Sequence, residues 1–544
     1  MDAKGIIRRT EDILRSDYQI NINEADAKQL HRALSDAVMY AVADDWRRSR
    51  RNRETGRRAY YLSAEYLTGR MVFNNLFVLN LLPEVSRLLA LRGVDINIME
   101  SIESTNSTTP AYPRRIVAHF TSACKECFAF PLHPMLYCHQ QYTKGWCPMS
   151  ENALALARQH APCYIYSREI LTAQAETLHR TFPGFDILFS VKANPFPPVI
   201  RHLAALGIGA DAASAGEVRL AAECGIAQED IYFSAAGKSD RALAAAWDNC
   251  HLIADSIGEV RRIAAMAAAR GETKAIGLRV NPAFSMDGGA GGTSKFGIDE
   301  SDLPALKILL QTLPIAVCGL HVHLRSQNLS ADTLTRYYKN CFALALRVRD
   351  ILDCSIEYIN FGGGVGIVYD PACQPPLNMS TLKQCTQAVA EENARTLRAR
   401  LLVESGRFLT AQAGTYYLPV VDKKTSHGTT YVIVENCLNG FQKPSLAAML
   451  RNAAGEGPLA PQEPLFTGET AFPITALPAE DTGITETVDI AGNLCCAADV
   501  LAKNFTGPAL AVGDLVAVGN TGAYARTLSP LLFSSHDVPA EFLI

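Results

Sequence analysis

Between residues 150 and 420, short apolar runs rich in β-branched and aromatic residues alternate with Ala- and Leu-rich runs of helical length. The strand-like runs are Tyr164–Tyr166, Ile187–Val191, Gly209–Ala212, Ile231–Phe233, Leu252–Ala254, Ala275–Val280, Val317–Val322, Tyr358–Phe361 and Leu401–Val403. The helical ones include Ile257–Ala269 and Leu334–Asp350. Such alternation predicts parallel strands joined by helical crossovers, because only a long connection returns the chain to the same end of a sheet. A parallel sheet must be covered on both faces, and a closed βα-barrel does this most economically. The expected fold class is therefore α/β, with a TIM-like barrel whose strand C-termini share one rim.

The residues at those termini are chemically concentrated: Lys192, Asp211, Arg279, His323 with Ser326, Gly362-Gly363-Gly364, and Glu404 with Arg407. Lys192 stands in Phe189-Ser-Val-Lys-Ala-Asn-Pro195, between a strand and an Asn-Pro turn. Taken alone it reads equally well as a lysine that blunts a sheet edge. Together, the set suits a phosphorylated aromatic cofactor. Three glycines let backbone N–H groups approach an anion, although turns favour glycine too. The Ser326 hydroxyl can join them on a phosphate, and the His323 ring can stack on a ring. Glu404 can hold a pyridine nitrogen protonated, which makes that ring an electron sink. Lys192 can form a Schiff base.

At 544 residues the chain exceeds one usual core, and two or three domains are expected. Apolar residues at 48% and charged residues at 19% exclude a disordered chain. A net charge of -4 supplies no basic field for nucleic acid. No apolar run reaches the roughly 20 residues that a membrane span needs. The first residues lack an apolar signal core, and the fifteen cysteines, an odd number, read as mostly reduced thiols. Both point to a cytoplasmic protein.

Before the barrel, residues 1–103 read as a helical segment. Asn23 and Asp26 look like an N-cap with an acidic first turn, followed by apolar residues at helical spacing from Leu30 to about Trp46. The charged run Arg47–Arg58 reads as a solvated turn. Residues 104–149 form a linker opened by Ser104-Thr-Asn-Ser-Thr-Thr-Pro110. Within its Cys/His tract, residues 119–147, Cys124 and Cys127 have zinc-ligand spacing, with Cys138 and Cys147 as further thiolates. The distances between these pairs fit no compact zinc module, so no metal is assigned. Residues 421–544 hold strand-like Tyr431–Glu435, Glu486–Ile490 and Leu515–Val518 between Gly, Pro and Asn turns, and predict a β-domain.

Two resemblances follow. Gln29-Leu-His-Arg-Ala-Leu-Ser35 and Tyr60-Tyr-Leu-Ser-Ala-Glu-Tyr-Leu-Thr-Gly-Arg-Met-Val-Phe-Asn-Asn-Leu76 resemble the N-terminal region of the glycogen and maltodextrin phosphorylases, from about Arg8 to Glu103. The catalytic domains and cofactor lysine of that family have no counterpart here, so glucan phosphorylase activity is not carried over. The segment reads as a fused gene fragment, a dimerisation appendage or an assembly artefact.

The second resemblance rests on Phe189–Pro195, Ala210-Asp-Ala-Ala-Ser-Ala-Gly-Glu217, Ser294-Lys-Phe-Gly297, Gly319-Leu-His-Val-His323, Gly362–Gly364, Glu404-Ser-Gly-Arg407 and Gly522-Ala-Tyr524, in that order. From about Leu154 onward the chain resembles the fold-type III pyridoxal-phosphate decarboxylases, the group acting on diaminopimelate, ornithine and arginine. The resemblance implies an α-decarboxylase of an amino acid. It makes Lys192 the cofactor lysine, Glu404 the pyridine-nitrogen partner and His323 the stacking ring. Ser326, Gly362, Gly363, Gly364 and Tyr524 would bind phosphate, and Asp211, Glu217, Arg279 and Arg407 would support the site. It also implies a β-domain built partly from residues just before the barrel, and a homodimer with shared active sites. There the loop Gly492-Asn-Leu-Cys-Cys-Ala-Ala-Asp499 enters the partner's site and Cys495 returns a proton. Read without the family, Cys495 is a small apolar residue.

Three departures bear on the substrate. Cys496 stands where the family has an acid that receives a distal ammonium. Arg325 replaces a glycine, and either contacts a phosphate or carboxylate or points outward. Ser405 replaces a proline. Cys496, Arg325 and the loop's Asp499 are accordingly candidate substrate-side residues. An amino-acid racemase and a non-catalytic barrel homologue are the alternatives; the Gly492–Asp499 loop argues against the first, and the joint presence of Lys192, Glu404 and Cys495 against the second.

Overall fold

The computed structural model describes residues 3–26, 29–30, 32–34, 36–37, 82–92 and 150–544 apart from 455–460, 469 and 481. It divides into two compact units, Met1–Pro131 and Leu132–Ile544.

In the first unit, helices Ala3–Ile13 and Leu82–Ala90 bury Ile6, Ile7, Val85 and Leu89 in one small core with Leu30 and Leu34. The helical residues from Gln29 are capped by Asp26, not Asn23. Asp26 Oδ1 accepts from the Gln29 amide at 2.8 Å while Gln29 Oε1 accepts from the Asp26 amide at 3.0 Å. This is a reciprocal capping box. The phosphorylase-like stretch Tyr60–Leu76, the charged run 47–58 and the Cys/His tract 119–147 lie outside the described residues. Among the described residues no cluster of three metal-capable side chains occurs, and no helix is long and apolar enough to cross a membrane.

The second unit holds two sheets. Strands β2 (Phe185–Ser190), β3 (Gly209–Ala212), β4 (Ile231–Phe233), β5 (His251–Ala254), β6 (Lys274–Asn281), β8 (Ile315–His321), β9 (Tyr358–Asn360) and β10 (Arg400–Ser405) pair in parallel, in the order 5-4-3-2-10-9-8-6. A β5–β6 pairing closes the ring, and the two-residue β7 (Ile298–Asp299) extends β6. The TIM-like barrel is thus present, with strands within two residues of the positions expected. Its helices start where serines cap them: the side chains of Ser167, Ser214, Ser239, Ser256 and Ser330 each accept a backbone N–H three residues on. Inside the barrel the ring of Tyr358 packs over Gly277 and Gly319, where a Cβ would come within 2.2 and 2.1 Å of it. The barrel is filled, so its only open chemistry is at the rim.

The second sheet carries the order β13 (Ile474–Leu477), β16 (Leu515–Val518), β11 (Gly414–Ser426), β12 (Thr429–Val434), β14 (Thr485–Gly492), β15 (Val500–Pro508). β1 (Cys163–Tyr166), which precedes the barrel in sequence, pairs with β11 and with β17 (Ala540–Leu543). The expected boundary at residue 420 falls inside β11. Neither that strand nor the helix Lys443–Ala454 is among the elements expected from the sequence.

Candidate active site

β2 ends at Ser190 and runs into a single 3-10 turn, Val191–Ala193, that lifts Lys192 off the strand. Val191 and Ala193 are buried, whereas the Lys192 side chain keeps 43% of its surface open. The register places Ser190 against Asp211 on one side, and Leu188 against Glu404 on the other. Asp211, fully buried, accepts from Lys192 Nζ at 2.8 Å, Ser190 Oγ at 3.0 Å and Ser234 Oγ at 2.7 Å. Burial alone would pull the lysine pKa down. Asp211, then Tyr524 and Glu404, more than offset it and hold the amine above the ordinary lysine range.

Glu404 is buried on β10 and accepts from Asn360 Nδ2 at 2.9 Å. His321 Nε2 lies 3.1 Å from its Oε1 in an ion-pair contact, and the Nδ1 of this buried histidine has no hydrogen-bond partner among the described residues. Burial would raise the Glu404 pKa. The His321 ring beside it, with Lys192 and His323 beyond, reverses that and holds the carboxyl well below its usual range. Glu404 is therefore a carboxylate kept ionised in a dry place. His321 and Asn360 were not among the sequence candidates, yet strand alternation carries a signal: 321 shares a face with 323, and 360 with 362.

His323 Nδ1 accepts from the Gly363 amide at 2.9 Å, and burial pushes its pKa down to about 4. The ring is thus neutral and fixed in orientation. The glycine run differs from the expected anion nest. The Gly362 amide donates to Asn360 Oδ1 at 2.8 Å and the Gly363 amide to His323, so two of the three N–H groups are engaged within the protein. Only the Gly364 amide has no partner among the described residues, and the partly buried Ser326 hydroxyl likewise has none. The glycines answer to crowding: at Gly362, with φ 65°, a Cβ would lie 2.3 Å from Val322 O and 2.8 Å from the His323 Cβ.

The remaining candidates separate. Tyr524, at φ 53°, donates its amide to Ala193 O at 2.9 Å, and its ring lies 5.2 Å from the Arg407 guanidinium. Arg407 is buried, donates Nη1 to Tyr369 OH at 2.7 Å and ion-pairs through Nη2 with Glu463. Arg279 is buried, reaches Ser234 O at 3.3 Å and has its guanidinium 4.5 Å from the centre of the Phe296 ring. Glu217 uses its carboxylate to accept the Ala213 amide at 2.7 Å, closing the start of its own helix. Arg325 points outward in a bidentate pair with Asp287 at 2.9 and 2.8 Å, both side chains at least half exposed. Asp499 accepts from the amides of Leu438 at 2.7 Å and Leu494 at 2.9 Å, so it folds the loop that presents Cys495 and Cys496, both exposed. Arg325 thus takes the outward of its two expected alternatives, while Glu217, expected to support the site, and Asp499, a substrate-side candidate, each hold backbone amides. The sequence candidates also omitted Lys443, Glu463 and Tyr369, and no local pattern marks them.

These groups fit pyridoxal phosphate. An open amine stands beside a buried ionised carboxylate and a neutral, oriented imidazole ring, with an unpartnered amide and hydroxyl near that ring for an anion.

Residues 168–411 match the family model described as pyridoxal-dependent decarboxylase, pyridoxal binding domain. The chain is 32% identical over 403 residues to the L-glutamyl-[BtrI acyl-carrier protein] decarboxylase of Niallia circulans, covering 71% of this chain and 89% of that protein. It is 28% identical to the diaminopimelate decarboxylase of Zymomonas mobilis, over 71% and 88%. The crystal structure of diaminopimelate decarboxylase from Helicobacter pylori complexed with L-lysine superposes with a TM-score of 0.59 at 23% identity, over 71% and 91%, which bears on the fold alone. On the sequence match and the site together, the chain belongs to the pyridoxal-dependent decarboxylases and is an amino-acid decarboxylase with pyridoxal phosphate as its cofactor.

Proposed function

We propose that the rim around Lys192 removes the α-carboxylate of an amino acid whose side chain lacks a free distal ammonium. The observation that carries this reading is the pairing of Lys192 with Asp211 at 2.8 Å beside a Glu404 held ionised in a buried setting. When bound, pyridoxal phosphate supplies an electron sink for the pair left behind as the carboxylate departs as CO2. Lys192 would be the amine that tethers it, Glu404 the carboxylate that would keep its ring nitrogen protonated, and His323 the ring that would stack on it. Ser326, the Gly364 amide and Tyr524 would meet the phosphate. Asp211, with Ser190 and Ser234, keeps the Lys192 amine in place and charged. Arg279 and Arg407 position neighbours. The proton returned to the α-carbon comes from Cys495 or Lys192.

Cys495 is exposed on the Gly492–Asp499 loop, which supports its entry into a partner's site in a homodimer with shared active sites. Cys496 beside it offers a distal ammonium no carboxylate. Leaving such a cation unpaired costs several kcal/mol, on the order of a lost buried charge partner. Among the relatives, one acts on glutamyl carried by a protein and others on diaminopimelate. We place the enzyme in the cytoplasm on its free cysteines.

Lys192→Ala tests the assignment. It should abolish CO2 release and the visible absorbance of the bound cofactor; an unchanged spectrum sinks the reading. Assays on the full chain and on a chain starting at Met149 report whether the leading segment matters.

A further inference from the structure

The loop that follows β6 folds back on itself at the barrel rim. Phe284 bridges Ala290, the Ser285 amide donates to Gly289 O at 2.8 Å, and the Gly291 amide donates to Ala283 O at 2.9 Å. Of residues 283–292 only Met286 is buried. A hairpin with so little buried apolar surface opens at low cost, and its place depends on what ties down its tip.

That tie is Asp287. Its carboxylate accepts from Arg325 Nη1 at 2.9 Å and Nη2 at 2.8 Å, and its backbone carbonyl accepts from Arg336 Nη1 at 3.0 Å. Among the described residues, no other hydrogen bond joins residues 285–290 to the chain beyond the hairpin. The arginine end, by contrast, is fixed. Just beyond Ser326, Gln327 bonds the Ile367 carbonyl and amide at 2.6 and 3.1 Å, and the Asn328 amide donates to Gly364 O at 2.8 Å. The bidentate pair therefore fastens a loosely held hairpin to a firmly held loop.

What the fastening covers is the corner that holds the unpartnered Gly364 amide and Ser326 hydroxyl. A Cβ placed on Gly364 would lie 3.4 Å from both Met286 Cε and Arg325 O, so the one buried side chain of the hairpin lies against that glycine. The Arg325 guanidinium is matched by Asp287 and points outward, so its effect on this corner passes through Met286.

We infer that the hairpin 283–291 is a lid over the phosphate end of the cofactor site, and that Arg325, through Asp287, is the positioning residue that holds it shut. This rests on Ser326 and Gly364 meeting the phosphate. An exposed ion pair shifts a closed-to-open ratio by up to about fivefold, so the pair sets how fast the cofactor exchanges and does not bar exchange.

The test uses the full chain, stripped of cofactor and loaded with pyridoxine 5′-phosphate, which has no aldehyde to bond Lys192. Excess pyridoxal phosphate then replaces it, and the growth of visible absorbance gives the release rate. At about 0.05 M KCl, Arg325→Met and Asp287→Asn should each release about two- to fivefold faster than wild type. The double variant should be no faster than either single one, because both remove the same contact. Salt at about 0.5 M should bring the wild-type rate toward that of the variants and leave the double variant unchanged. Equal rates in wild type and single variants, additive effects in the double variant, or a wild-type rate that ignores salt overturns the lid. A pair that only stabilised the fold would lower the melting temperature without changing release. If Arg325→Met fails to fold, Asp287→Asn and the wild-type salt dependence decide. Ser326→Ala tests the phosphate placement separately, and should weaken pyridoxine 5′-phosphate about tenfold at equilibrium, the scale of a lost hydrogen bond to a charged group. Weakened binding there with unchanged release in the pair variants refutes the lid alone. Full affinity there with faster release in the pair variants keeps the latch and places the phosphate elsewhere.

Discussion

Lys192 and Lys443 sit near the same Tyr524–Arg407 pair, in opposite electrostatic states. Lys192 is held above the ordinary lysine range because a buried carboxylate touches its amine at 2.8 Å. Burial, then the Arg407 guanidinium, pull Lys443 down to about 7 against the weaker pull of Glu463, and among the described residues no group accepts a hydrogen bond from its nitrogen. Burial disfavours both ammonium forms. What separates them is whether an acid reaches the nitrogen. The first lysine is thereby kept charged at the rim, while the second is left as a buried donor without an acceptor.

The largest break between the two regions comes from deleting each amine. Lys192→Met should lower decarboxylation by about a thousandfold or more, as loss of a covalent partner does. Lys443→Met should cost on the order of tenfold and act mainly on substrate half-saturation. Comparable losses in kcat for the two variants would erase the distinction. Next is Asp211→Asn, which removes the acid from Lys192 while keeping the shape that Ser190 and Ser234 contact. A loss of about ten- to a hundredfold in kcat/KM is expected, the range of an electrostatic positioning group. A fall smaller than threefold would show that Asp211 does not govern the lysine.

Two stability measurements sharpen the contrast with opposite signs. Glu404 has a native pKa below its ordinary 4.5, so its stabilisation is present above that value and is lost as pH falls below it. Glu404→Gln should therefore lose less stability than the parent between about pH 5 and 3. Lys443 has a native pKa of about 7 against an ordinary 10.5, so the unfolded chain binds the extra proton across that window and native stability rises with pH through it. Lys443→Met should raise Tm by a few degrees at pH 6, on the order of 1 kcal/mol or more, and the gain should fade as pH approaches 10. A constant difference across pH would mean that Lys443 is not buried as a strained amine.

Most of the barrel was legible because apolar periodicity is a local property. Each of the eight strands of the barrel ring announced itself within a few residues, and strand ends converge on one rim by topology alone. That is why Lys192, Asp211, His323 and Glu404 could be named together before any coordinates. The engaged Gly362 and Gly363 amides were not legible, since a glycine run looks alike whether it faces a ligand or its own neighbours. Where Arg325 and Glu217 would turn was not legible for a related reason. Their partners, Asp287 and the Ala213 amide, depend on loop and cap geometry that composition does not encode. Glu463 and Lys443 lie at a turn and at a helix start, and only tertiary packing brings them to Arg407.

The pairing of β1 with β17 has a consequence for biosynthesis. Cys163–Tyr166 leaves the ribosome early, yet one of its two sheet neighbours is Ala540–Leu543, and the phenol of Tyr166 bonds Glu541 across 375 positions at 2.8 Å. The barrel strands can pair as they emerge, but one flank of β1 stays bare until Ala540–Leu543 has been made. Until then that open flank is available to other nascent chains on the same polysome, and β17 is what closes it.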